Sequence, residues 1–375
     1  MPHAPGPDRP ASESDPEDEI PQDVVAAIDT LMRKGNVPGL SLAVVDANGL
    51  RFAGGFGTAD FDSGVKPRPS TQYLWFSMSK IVTATAAMAL ADEGRLDLDA
   101  PIKKYASYLE APGAIQPSTR QLLSHTSGLR NPIPIRWAHL AANEAPDAAA
   151  LLQRQMSRRR AYRYPVGEAA RYSNLGYLAA GAVISAASGE PFTKYVQQSV
   201  LSPAGMRRTG YTYQPDGDAA TGYARVPRIV TPVLRAALPS GVIGARHGRY
   251  LALKRFYVDG PSYGGLVGDV LDAGRFLRLH LNDGSLDGHR VLSEQSARAM
   301  RVLDQPGKPF DHGIGWFRRP SVGPGDWVEH FGSGVGFWNV MRLYPERGLG
   351  VVVMSNSTTT YDFEPLFALI TDHCR

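Results

Sequence analysis

The strand-like runs of this 375-residue chain lie at its two ends, with helical sequence between them. That leaves few ways to close a sheet. Near the N-terminus, Gly39-Leu40-Ser41-Leu42-Ala43-Val44-Val45 and Leu50-Arg51-Phe52-Ala53-Gly54-Gly55-Phe56 flank Asn48-Gly49, a strong two-residue hairpin signal. Near the C-terminus, Gly315-Trp316-Phe317, Phe337 to Leu343 and Leu349 to Met354 read as strands, the last two joined at Glu346-Arg347-Gly348. Gln22 to Lys34 reads as an amphipathic helix and Glu364 to Asp372 as a closing one. From Ser77 to about Leu281 the pattern is mainly helical, and Ser118-Thr119-Arg120-Gln121 resembles a capping box opening a short helix through Leu123. The expected fold is α+β: one antiparallel sheet formed from the N- and C-terminal segments, flanked by helices, with a mainly helical domain inserted. The sheet subdomain is expected over about 22–70 and 310–375, and the helical one over about 71–309. Residues 225–262 show no clear period and read as an insertion or lid.

Composition narrows the class. Hydrophobic content of 43% and charged content of 20% are those of an ordinary globular chain. The only cysteine is Cys374, so neither an internal disulfide nor a cysteine metal cluster is available. No apolar run approaches the ~20 residues of a membrane span. Residues 1–21 read as a disordered acidic tail: Asp8, Glu13, Asp15, Glu17, Asp18 and Glu19 face Arg9 alone, among six prolines. The tail has no signal-peptide pattern, and the expected location is cytoplasmic. Without it the formal charge of +4 becomes +9. That balance fits anionic surfaces or substrates and lacks the interleaved aromatics of a nucleic-acid binder.

Chemistry enters at Ser77-Met78-Ser79-Lys80, which runs straight into Ile81-Val82-Thr83-Ala84-Thr85-Ala86-Ala87-Met88-Ala89-Leu90. Residues three apart share a helix face, so Lys80 can reach the Ser77 hydroxyl. Serine needs an adjacent base to act as a nucleophile, and lysine serves only when burial or another cation lowers its pKa. Ser63-Gly64-Val65-Lys66 has the same spacing, but Asp62-Ser63-Gly64 and the following Pro67 and Pro69 mark it as a turn, where a solvated lysine keeps its proton.

Acyl transfer through Ser77 also needs a proton shuttle and oxyanion donors. Tyr172-Ser173-Asn174 is the only Tyr-x-Asn among sixteen tyrosines, and it opens a new helix. A tyrosine titrates near ~10 and acts as a base only beside positive charge. His330-Phe331-Gly332-Ser333-Gly334 holds the only His-x-Gly among nine histidines and leads into the strand at Phe337. Its glycines would let substrate approach the strand edge, with His330 facing the cleft.

Ser77-x-x-Lys80, Tyr172-x-Asn174 and His330-x-Gly332, in that order, resemble the serine β-lactamase-like superfamily of penicillin-recognising enzymes, and within it the class C branch with its esterase and D-peptidase relatives. Leu122-Leu123-Ser124-His125-Thr126-Ser127-Gly128-Leu129, Pro203-Ala204-Gly205-Met206 and Gly264-Gly265-Leu266 agree, and the resemblance covers roughly Val24 to Thr371. It implies that Ser77 is acylated, that Lys80 and Tyr172 move the proton, and that His330 completes the catalytic set. It further implies that Asn174 and Gly332 meet substrate and that the backbone N–H groups of Ser77 and Ser333 form the oxyanion hole. No metal or organic cofactor is implied, and the expected partner is a small-molecule ester or amide. The resemblance puts His125 in a structural turn. Arg208-Thr209-Gly210 imitates the Lys-Thr-Gly of true β-lactamases but follows Tyr172 too closely.

Class C β-lactamases carry lysine where this chain has His330, and histidine is only partly charged near pH 7. The resemblance therefore points to a carboxylesterase of small acyl esters before a D-aminopeptidase, D-Ala-D-Ala carboxypeptidase or weak β-lactamase. A non-catalytic penicillin-binding-like module is the reading from a different class. Arg154, Arg158, Arg159, Arg160 and Arg163 are candidates for the cleft mouth, where they would favour an anionic acyl group.

Overall fold

A computed structural model of the chain describes residues 20–374 apart from 112, 114, 158–160, 216 and 321–324. The acidic stretch 1–19 and Arg158 to Arg160 therefore lie outside the described residues. The frame is a seven-stranded antiparallel sheet. In chain order its strands are β1 (Gly39–Asp46), β2 (Leu50–Gly57), β3 (Asp311–His312), β4 (Phe317–Arg318), β5 (Val328–Gly334), β6 (Phe337–Tyr344) and β7 (Leu349–Ser355). Their spatial order is β3-β4-β5-β6-β7-β1-β2. The two termini meet where β1 pairs with β7, with Leu42 opposite Val353 and Val44 opposite Val351. Asp46 starts the first hairpin turn by accepting the N–H groups of Asn48 and Gly49 at 2.7 and 2.8 Å.

Both faces of the central strands are buried, so successive residues serve different cores. Leu40, Leu42 and Val44 pack with Val340, Val351 and Val353 under helices α1 (Gln22–Gly35) and, at the C-terminus, Glu364–His373. Ala43, Val45, Met341, Val352 and Met354 face the other way, into the larger core shared with the inserted helices. At the centre of that core lies α2 (Ser79–Asp92), buried from Ser79 through Leu90. A helix apolar all round belongs inside a protein, and alanines at 84, 86, 87 and 89 let its neighbours approach closely.

The inserted region follows the expected helical plan except at 225–262. There Tyr223–Arg225, Tyr250–Leu253 and Ile243–His247 form a three-stranded sheet, and Phe256–Val258 pairs with Ala138–Leu140. These strands are three to five residues long, and a register shift between Ile243 and Arg246 breaks their alternation. The period that marks a strand in sequence is therefore absent.

Candidate active site

Ser77 lies on a single 3-10 turn, Phe76–Met78, just before α2. Phe76 takes a left-handed φ of 47°, uncommon for an aromatic residue and the kind of strain that collects at functional sites. The turn leaves Ser77 half-buried, while Lys80, one helical step on, is 0% exposed. Lys80 Nζ lies 2.9 Å from Ser77 Oγ, 2.8 Å from Asn174 Oδ1 and 2.8 Å from the Tyr263 carbonyl oxygen. The rings of Tyr172, Tyr177 and Tyr263 surround it at 5.0, 5.5 and 5.4 Å.

Burial in this shell holds the Lys80 ammonium well below the ordinary lysine range. A neutral amine has two N–H bonds and one lone pair. The two carbonyl oxygens can only accept, so they take the N–H bonds and the lone pair is left facing the Ser77 hydroxyl.

Burial raises the Tyr172 phenol well above the usual value, against the lowering influence of the Ser77 hydroxyl. The phenol therefore keeps its proton when Lys80 has lost its own. Ser173 caps the following helix, α3 (Asn174–Ser188), by accepting the Gly176 N–H at 2.9 Å. This places Asn174 in the first helical turn. Its side-chain oxygen faces Lys80, and its backbone N–H donates to Asn131 Oδ1 at 3.0 Å.

The third motif lies on β5, whose Phe317 partner is Glu329 and whose remaining residues, 330–334, pair only with β6. The free edge runs along the Ser77 turn. A Cβ on Gly332 would sit 1.9 Å from the Trp75 carbonyl oxygen, and one on Gly334 would sit 2.1 Å from the Phe76 ring. Gly332 thus admits the nucleophile's own segment against the strand, where the sequence had offered that space to substrate. Ser333 shares a cavity wall with Ser77.

His330 differs from expectation as well. Its ring does not open to the cleft but is 1% exposed, packed 4.5 Å from Phe317 and 6.2 Å from Tyr172. Its Nδ1 lies 2.7 Å from the Phe331 carbonyl oxygen, which requires the proton on Nδ1. Burial holds its pKa well below that of a free histidine. A neutral imidazole here supplies no cation for a substrate carboxylate.

The sequence offered no catalytic role to several residues that the fold brings to this centre. Tyr263 gives Lys80 an acceptor. His125 accepts the Ser173 N–H on Nδ1 at 3.0 Å, and its carbonyl accepts the Arg171 N–H at 2.8 Å. Trp137, Leu238, Phe256 and Val258 line an apolar cavity of about 230 Å³ that opens at Ser77 and Ser333. The Tyr263 and Trp137 rings sit edge to face, and only the aromatic character of both positions was visible beforehand.

The lookalike motifs occupy other surroundings. Ser63 Oγ donates to Asp60 at 2.8 Å in an exposed turn. Arg208 pairs with the buried Asp269 at 2.9 Å, and its N–H donates to Asp272. Among the described residues, no group of three or more His, Cys, Asp or Glu side chains is placed to hold a metal ion, and no helix is long and apolar enough to cross a membrane.

Comparison with known proteins agrees with this architecture. The chain is 26% identical over 356 residues to the D-alanyl-D-alanine-carboxypeptidase/endopeptidase AmpH of Escherichia coli (strain K12), covering 92% of this chain and 86% of that one. It is 33% identical over 275 residues to protein Rv1367c of Mycobacterium tuberculosis (strain ATCC 25618 / H37Rv), covering 66% of this chain and 63% of its relative's length. The solved D-amino acid amidase of Ochrobactrum anthropi SV3 shares the fold at a TM-score of 0.75 and 22% identity, over 94% of this chain and 100% of the amidase. The sequence profile described as Beta-lactamase matches residues 24–374, and the chain belongs to the β-lactamase family.

Proposed function

We propose that this protein is a serine hydrolase working through an acyl-enzyme on Ser77, and specifically a carboxylesterase for small esters with apolar acyl groups. The contacts around Lys80 Nζ carry the reading: Ser77 Oγ lies at 2.9 Å and the carbonyl oxygens of Asn174 and Tyr263 at 2.8 Å, so an amine that has lost a proton keeps its two N–H bonds on the carbonyls and turns its lone pair to Ser77. Lys80 takes the Ser77 proton as Oγ bonds to the acyl carbon. The N–H groups of Ser77 and Ser333 hold the carbonyl oxygen as it gains charge. The carbon–oxygen bond to the alcohol then breaks, and the departing oxygen receives a proton from Tyr172, which Lys80 replenishes. A water, giving its proton to the same pair, attacks the acyl carbon. The Oγ–carbon bond breaks, and the acid leaves with Ser77 restored.

Two observations favour an ester with an apolar acyl group. The cavity beside Ser77 and Ser333 is walled by Trp137, Phe256, Val258 and Leu238. At about 230 Å³ it exceeds the ~150 Å³ engineered cavity that binds benzene, so a phenyl ring or a butyryl chain fits. The neutral, buried His330 lacks the charge with which a lysine would hold a β-lactam carboxylate. A D-peptidase is the second reading, favoured by the match to AmpH over 92% of this chain.

The test compares 4-nitrophenyl acetate, butyrate and phenylacetate with D-alanyl-4-nitroanilide and a chromogenic cephalosporin. The expected order places butyrate and phenylacetate first, and Trp137→Ala should shrink their advantage over acetate. Faster turnover of the anilide would select the D-peptidase reading, and turnover of the cephalosporin above the esters a β-lactamase. Loss of all turnover together with no labelling of Ser77 would leave the non-catalytic module.

A further inference from the structure

We propose that the basic groove lined by Tyr172 is a subsite for an anionic leaving group, so that the preferred substrate joins an apolar acyl group to an alcohol or phenol bearing a carboxylate or phosphate. This rests on the acyl-enzyme reading above. Tyr172 lines a groove of about 690 Å³ together with Arg130, Arg163, Arg171 and Lys308. The apolar cavity opens instead at Ser77 and Ser333.

Chemistry assigns the two sides. The acyl carbon stays at Ser77 Oγ, so the acyl chain extends into the apolar cavity. The departing oxygen must meet the Tyr172 proton as its bond to carbon breaks, so the alcohol lies toward the groove.

The groove is unbalanced in charge. It holds four cations and no lining carboxylate, and among the described residues none of the four makes a salt bridge. What holds them is neutral. Arg171 lies 4.1 Å and Arg163 5.8 Å over the Tyr164 ring, and Arg130 Nη2 donates to Gln155 at 2.9 Å. The nearby Asp311 instead accepts the Gly307 backbone N–H. These contacts orient the guanidinium groups without neutralising them, which leaves their charge for a ligand. Three distant segments supply the cations, so the excess is a property of the folded groove.

The test uses three butyrate esters with one acyl group and different leaving groups: 4-hydroxybenzamide, 4-hydroxybenzoate and 4-hydroxyphenyl phosphate. The readout is the kcat/KM of each anionic ester divided by that of the neutral amide ester, which cancels general losses of activity. In Arg163→Gln/Lys308→Gln the ratio is expected to fall about five- to tenfold, the range of two exposed charge pairs, and 0.5 M NaCl should lower it in the native protein. A ratio unchanged by both overturns the proposal, and a fall for only one anion identifies which group the site takes. If no ester is hydrolysed, the esterase reading fails while the groove is still judged by calorimetry of the three free phenols. Tighter binding of the anions that disappears in the double variant supports it, and equal binding of all three overturns it.

Discussion

The His125 ring lies 4.4 Å from that of Tyr172, centroid to centroid, and the same residue grips the chain on both sides of the tyrosine. Its carbonyl takes the Arg171 N–H and its Nδ1 takes the Ser173 N–H. Because Nδ1 accepts, the ring carries its proton on Nε2. Burial keeps it neutral by lowering its pKa well below the usual value. His125 therefore acts as a positioning residue for Tyr172.

His125 also has a left-handed φ of 62°, which asparagine tolerates and leucine does not. His125→Leu is expected to lower kcat roughly 10–100-fold with little change in KM, as a displaced proton donor would. His125→Asn, which keeps an acceptor and suits the backbone, should recover most of the loss. Equal losses in the two variants would assign the effect to ring packing.

Lys80→Ala should reduce turnover by ~10²–10⁴-fold, the usual worth of a general base. Lys66→Ala, in the exposed turn that repeats the spacing, should leave it unchanged. Burial lowers the Lys80 pKa, and only the neutral amine accepts the Ser77 proton. The kcat/KM of an ester should therefore rise with pH through a limb well below ~10.4. A limb at the pKa of a free lysine would remove Lys80 as the base.

Acid should weaken the fold through two buried histidines. Burial lowers His280 to about 3 and His312 to about 4. Unfolded, each binds a proton near ~6.5, so the unfolded state holds more protons at every pH between. Stability is thus complete above that value and declines as pH falls toward 4 and 3, at a limit of about 1.4 kcal/mol per pH unit for each histidine. The urea midpoint followed from pH 7 to pH 4 checks this, and a flat curve from 6.5 to 4.5 would contradict it.

The parts of this molecule legible in its sequence are those fixed by short-range rules. The β1–β2 hairpin follows from Asn48-Gly49 between alternating runs, and the short helix at Thr119 follows from the reciprocal Ser118–Gln121 cap. Spacing selects Ser77, Lys80, Tyr172 and Asn174, and the fold puts Ser77 and Asn174 in hydrogen-bonding reach of Lys80, with the Tyr172 ring 5.0 Å from its Nζ. Their electrostatics were not legible. The lowered pKa of Lys80 depends on α2 being enclosed on all sides, a property of packing. The orientation of His330 was missed because strand register sends its ring into the aromatic layer of Phe317. The groove was foreseen only at Arg163, since Arg130, Arg171 and Lys308 reach it from separate segments.

The most direct measurement is the intact mass of the protein after exposure to a 4-nitrophenyl alkylphosphonate, with the modified residue located by peptide mapping. One phosphonyl group on Ser77, absent in Ser77→Ala and formed far more slowly in Lys80→Ala, is the expected result. An unmodified native protein, or an adduct that persists in Ser77→Ala, would contradict an acyl-enzyme at Ser77.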